Sequence, residues 1–89
     1  MIESYKIIVK GKVQGVWFRK FTKKKADSLG LSGYVKNEAN GDVFIAVSGE
    51  VAKLSLFVTW LHQGSPLSKV REVLVEKSDG GFKGFQISY

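Results

Sequence analysis

Near the middle of the chain, Asn40-Gly41 stands between Gly33-Tyr34-Val35-Lys36-Asn37 and Asp42-Val43-Phe44-Ile45-Ala46-Val47. Two strand-like runs joined by Asn-Gly are the strongest short-range hairpin signal, because both turn positions must tolerate positive φ. A central hairpin constrains everything else, since the flanking segments must cover or extend that antiparallel pair. Before it, residues 5–13 alternate, with Tyr5, Ile7, Val9 and Val13 on one face and Lys6, Lys10 and Lys12 on the other. That period of two predicts a half-buried strand. Phe18, then Phe21 or Thr22, Ala26 and Leu29 recur at helical spacing, and Gly30 is placed to cap that helix. After the hairpin, Val51, Leu54, Phe57 or Val58, and Leu61 form a second helical stripe, bounded by Gly49 before it and by Gly64 and Pro66 after it. Val73 and Val75 lie in a strand-like run over 69–77. Asp79-Gly80-Gly81 reads as the turn that follows, and Phe85, Ile87 and Tyr89 alternate in a closing strand.

The order is therefore strand, helix, strand, strand, helix, strand, with a short extra terminal strand. Both helices can bury their stripes on one face of an antiparallel sheet, which gives an α+β, ferredoxin-like two-layer sandwich. At 89 residues there is room for one hydrophobic core, so residues 1–89 are expected to form a single domain. The chain has no cysteine and one histidine, His62, which leaves neither a disulfide framework, a thiolate nucleophile nor a histidine metal cage. Met1-Ile2-Glu3-Ser4-Tyr5-Lys6 carries no basic-then-apolar signal and no apolar run approaches a membrane span, so the expected location is cytoplasmic, with no membrane partner. The charge is uneven. Residues 1–36 hold nine of the 14 Lys and Arg against two acids, and the rest of the chain holds five against six. A basic N-terminal half predicts an anionic partner without naming it.

The connection from the first strand to the first helix reads Gly11-Lys12-Val13-Gln14-Gly15-Val16-Trp17-Phe18-Arg19. A glycine-punctuated turn at a helix start exposes backbone N–H groups that the helix cannot satisfy, and with the helix dipole they suit a phosphate. Arg19 adds a planar fork matched to two phosphate oxygens. The same residues also fit an ordinary strand-to-helix turn with a surface arginine, because loose glycine patterns recur by chance. Asn37 is the second outlier, since asparagine is disfavoured in strands. Its carboxamide both donates and accepts and could hold a water, or it could simply bond its own backbone at the hairpin end. Asn40 is turn chemistry. Lys23-Lys24-Lys25 reads as a solvated helix face that could also draw in anions, and Trp17 and Trp60 as packing residues, with Trp17 a possible wall of the pocket.

Taken together, Gly11 through Arg19, with its Val13-Gln14-Gly15-Val16 core and Phe18-Arg19 end, and Gly33-Tyr34-Val35-Lys36-Asn37-Glu38-Ala39-Asn40-Gly41-Asp42-Val43 resemble the paired signatures of the acylphosphatase family. Thr22, Ala26, Leu29-Gly30-Leu31 and Phe85-Gln86-Ile87 extend the resemblance over essentially the whole chain. It implies a monomeric enzyme that hydrolyses the carboxyl-phosphate bond of a small acyl phosphate such as acetyl or carbamoyl phosphate, with no metal and no cofactor. It also implies that Arg19 binds the phosphate, that Asn37 positions the attacking water, and that the backbone of Gln14, Gly15, Val16, Trp17 and Phe18 cradles the anion. Tyr34 stands where such proteins commonly carry tryptophan, and Gly64-Ser65-Pro66 replaces a tighter Gly-Pro turn. These departures bear on packing and substrate fit.

Two rival readings share the fold. RNA-recognition domains have the same strand–helix order, and Gly81-Phe82-Lys83-Gly84-Phe85 is similar to their glycine–aromatic signature. Those domains carry it on the third strand, whereas here it falls on the last, so no nucleic-acid partner is expected. The second rival is a related stand-alone domain that binds acyl phosphates without turning them over. The 89-residue length, with strands near both ends, favours a free-standing enzyme.

Overall fold

Seven elements follow one another in the computed structural model, which describes residues 1–88: β1 (Ile2–Lys12), α1 (Phe18–Ser28), β2 (Ser32–Asn37), β3 (Val43–Glu50), α2 (Val51–Gln63), β4 (Lys69–Ser78) and β5 (Phe85–Ile87). Tyr89, expected as the last residue of the closing strand's alternation, lies outside the described residues. The sheet order is β4-β1-β3-β2-β5. The four longer strands pair antiparallel, as expected, while β5 runs parallel to β2 at the edge, so the sheet as a whole is mixed.

Register explains the core. Ile7 lies opposite Ile45, Val9 opposite Val43 and Val35 opposite Ile45, which puts these side chains on one face of the sheet. They are fully buried together with Phe18, Ala26, Leu54, Phe57, Leu61 and Phe85, so both helices pack on that face. The sequence pattern left one position open in each helix. Thr22 rather than Phe21 faces inward on α1, and Phe57 rather than Val58 on α2. In each case the chosen residue continues the spacing of three to four set by its buried neighbours. Past Leu29, the N–H of Gly30 bonds the carbonyl of Asp27 and that of Leu31 bonds Ala26, the paired bonds of a Schellman ending.

Two connections differ from expectation. The hairpin between β2 and β3 is not a two-residue turn with both central residues at positive φ. Gly41 alone takes positive φ, at 97°. The N–H of Gly41 bonds Glu38 O at 3.2 Å and the N–H of Glu38 bonds Asp42 O at 2.8 Å, a three-residue loop in which a turn is followed by a left-handed glycine. The Asn40 side chain accepts from the Asp42 N–H at 3.0 Å, so this residue does serve the turn. Asp79-Gly80-Gly81, in turn, does not fold β5 back beside β4. Those strands lie at opposite edges of the sheet, and residues 79–84 cross between them. On the way Gly80 O accepts from Ser4 Oγ, Phe82 meets Tyr34 edge-on at 6.0 Å, and Gly84 O accepts from the Gly33 N–H.

Phe85 is buried with its ring edge-on to Phe57 at 6.2 Å, while Phe82 stays partly exposed beside Tyr34. Among the described residues no helix is long and apolar enough to cross a membrane.

Candidate active site

The cradle loop begins where β1 changes register. Pairing with β4 slips between Lys10 and Gly11, and a Cβ on Gly11 would collide with the Lys69 carbonyl oxygen, so only glycine lets the two backbones meet there. The chain then leaves the sheet, buries Val13 and enters α1. Trp17 occupies the N-cap, and the first helical bond runs from the Phe21 N–H to Trp17 O at 3.1 Å. The N–H groups of Phe18, Arg19 and Lys20 therefore precede any intrahelical partner. Among the described residues no side chain caps them and no acidic residue sits in the first turn, so the positive end of α1 is left uncompensated by its own residues.

A cleft of about 490 Å³ opens in front of this helix start, lined by Val13, Gly15, Trp17, Phe18, Arg19, Lys20, Asn37 and Ile87. Arg19, from the first turn of α1, and Asn37, the last residue of β2, thus border one space, although they are eighteen positions apart in the chain. The Arg19 guanidinium donates from Nη1 to Ser88 O at 3.0 Å, and Ser88 is itself tied to β2 by its N–H on Val35 O at 2.8 Å. This fixes the plane of the fork against the sheet edge. Asn37 contributes a different kind of feature. Its carboxamide oxygen is buried and has no hydrogen-bond partner among the described residues. A buried acceptor left unpaired costs about 1–3 kcal/mol, which is tolerated where a ligand or water completes it.

Of the expected cradle residues, Gly15, Trp17, Phe18 and Arg19 line the cleft, and Gln14 and Val16 do not. Gln14 turns its side-chain amide the other way, where Nε2 donates to Glu38 O and to Asp42 O, both at 2.8 Å. It stitches the cradle loop to the hairpin loop just beyond Asn37. Val16 is buried, and its carbonyl accepts from the buried Ser65 hydroxyl at 2.9 Å. Ser65, noted in the sequence only as a departure, therefore holds the back of the cradle from the α2–β4 connection. Tyr34, the other departure, packs on the helix-free face, 6.0 Å from both Phe44 and Phe82, and does not line the cleft. The Lys10 ammonium completes the frame with a 2.8 Å ion pair to Asp42 Oδ2, and this holds the Asp42 carboxyl below the usual aspartate range. No three His, Asp or Glu side chains among the described residues are grouped so as to hold a metal ion.

Comparison with known proteins fits this geometry. The acylphosphatase family profile matches residues 5–87. An acylphosphatase of Bacillus licheniformis is 45% identical over 88 residues, which covers 97% of this chain and 98% of that protein. The structure of an acylphosphatase from Coxiella burnetii superposes with a TM-score of 0.95 at 35% identity, spanning 98% of this chain and 93% of that one. The crystal structure of acylphosphatase from Bacillus subtilis gives a TM-score of 0.94 at 43% identity, with both chains covered completely.

Proposed function

The chain belongs to the acylphosphatase family and is an acylphosphatase, an enzyme that hydrolyses the carboxyl-phosphate bond of small acyl phosphates, and from that premise we propose that Arg19 and Asn37 carry the reaction. The observation behind this reading is their shared cleft, in which a guanidinium and a buried carboxamide oxygen with no hydrogen-bond partner among the described residues meet a helix start whose N–H groups have no intrahelical partner.

An acyl phosphate is a mixed anhydride whose leaving group is a stable carboxylate, which departs without prior protonation. What remains is to hold the phosphoryl group, spread its charge and bring water in line. Phosphoryl transfer through a loose transition state depends mainly on such positioning and electrostatics. The Arg19 fork and the N–H groups at the start of α1 bind the phosphoryl oxygens. A water donating one hydrogen bond to Asn37 Oδ1 has its lone pair turned toward phosphorus. Its oxygen bonds to phosphorus as the bond to the carboxylate oxygen breaks, the electron pair leaves with the carboxylate, and the water's protons stay with inorganic phosphate. No general base, metal or covalent nucleophile is required. The same reading takes residues 1–89 as one domain that works as a monomer in the cytoplasm, without cofactor, nucleic acid or membrane, and the cysteine-free composition is in keeping with it.

The test is acetyl-phosphate hydrolysis by the purified protein with a chelator present. Wild type should turn over undiminished. Arg19→Gln, which keeps a hydrogen-bonding side chain but loses the charge, should raise KM and collapse kcat together, because bonds to charged groups are worth about 1.5–3 kcal/mol each. Strong stimulation by magnesium, or near-normal kinetics in Arg19→Gln, would contradict this scheme.

A further inference from the structure

We propose that the Trp17 side chain is the acyl-side wall of this cleft and a specificity determinant, favouring acyl phosphates whose acyl group presents a planar apolar face over acetyl phosphate. The proposal rests on the Arg19–Asn37 reading of the site and goes beyond it. Among the described residues Trp17 is the one non-glycine with positive φ, at 62°. An L side chain is strained there, most of all a bulky one, and such strain persists where function holds it in place. Burial could offset the strain, but Trp17 is 66% exposed. Trp60 offers the contrast, because its ring packs against Phe18 at 6.2 Å. Packing therefore does not account for an indole at position 17.

What the ring does touch is the cleft. Lys20, one turn along α1, holds its ammonium 5.1 Å from the indole centroid and lines the same space, which steadies the ring at the rim. The cleft's volume of about 490 Å³ is far more than a phosphoryl group fills. With the phosphoryl group held by Arg19 and the helix start, the acyl group is left the remainder, walled by Val13, Ile87 and the indole. A planar acyl group laid against that ring gains an aromatic contact that acetyl cannot make.

The experiment compares kcat/KM for benzoyl phosphate and acetyl phosphate within each of four proteins: wild type, Trp17→Gly, Trp17→Phe and Arg19→Gln. The ratio is the readout, so any general effect of a change at the helix start cancels. The benzoyl-to-acetyl ratio should fall about three- to tenfold in Trp17→Gly, which suits positive φ and folds without strain, and stay within about twofold of wild type in Trp17→Phe. An unchanged ratio in Trp17→Gly overturns the proposal, and so does a ratio that falls as far in Trp17→Phe as in Trp17→Gly. If Arg19→Gln retains turnover of both substrates, the underlying site reading fails instead, so the two failures are distinguishable.

Discussion

Asn37 Oδ1 is a buried acceptor that no described protein group answers, at the end of a strand where asparagine is a poor choice. The water-holding role proposed for it turns that cost into positioning. Around it, single side chains do work that spacing cannot reveal. Gln14 reaches residues 24 and 28 positions away with one amide nitrogen, and Ser65 reaches a carbonyl 49 positions away. Gln14 and Ser65 could be noticed in the sequence, but neither contact could be read, because each partner is a backbone carbonyl brought near only by the folded sheet. Arg19 and Asn37 were singled out by the resemblance to the acylphosphatase signatures, because residue type alone left an ordinary turn arginine and a hairpin-end asparagine open, and the structure adds that both border one cleft. Replacing Gln14 with methionine keeps the volume and removes both bonds. Denaturant unfolding should show a loss of about 1–3 kcal/mol, and kcat should fall as the hairpin loop loosens from the cradle. Unchanged stability and turnover would mean that the stitch is idle.

At the scale of elements, alternation and helical spacing were enough to place both helices and the four longer strands, since burial on one face demands those periods. The two connections were harder to read. Asn-Gly signals a hairpin, but loop length is set by where the strands stop pairing, and here the closing bond from the Glu38 N–H to Asp42 O leaves Ala39 in the loop with Asn40 and Gly41. A glycine pair also suggests a turn whether the chain reverses or crosses the sheet, and the decisive fact, that the slot beside β2 is open, belongs to the assembled sheet. The Lys10–Asp42 pair carries a pH prediction. The Lys10 hydrogen bond is the leading cause of the lowered Asp42 pKa, so the folded state favours the ionised carboxylate. That contribution is complete above the unfolded-state aspartate value, near 3.9, and is lost as pH falls through the lower folded value. Unfolding measured between neutral pH and about pH 2 should therefore show an acid-side loss of stability that is smaller in Asp42→Asn, with the variant less stable at neutral pH. Parallel pH curves for the two proteins would remove Asp42 from that loss.

Across the whole molecule, the sheet separates two surfaces. One is sealed by the helices. The other carries Tyr34 in ring contact with both Phe44 and Phe82, with the Lys36 ammonium 5.7 Å from the Phe44 ring. The cleft belongs to neither face. It lies at the end where β1 hands the chain to α1 and β2 hands it to the hairpin, and there Gln14, Val16 and Arg19 are each held by contacts distant in sequence. The basic half of the chain surrounds this end through Arg19, Lys20 and Lys10, and Lys23 is turned to structural use, bonding Asp27 and the Phe85 carbonyl. In the proposed mechanism holding the anion and orienting one water are separate tasks, and steady-state kinetics of Asn37→Ala on acetyl phosphate tests that separation most directly. The account predicts kcat lower by about 10²-fold or more with KM changed only a few-fold. A kcat equal to that of wild type would contradict it.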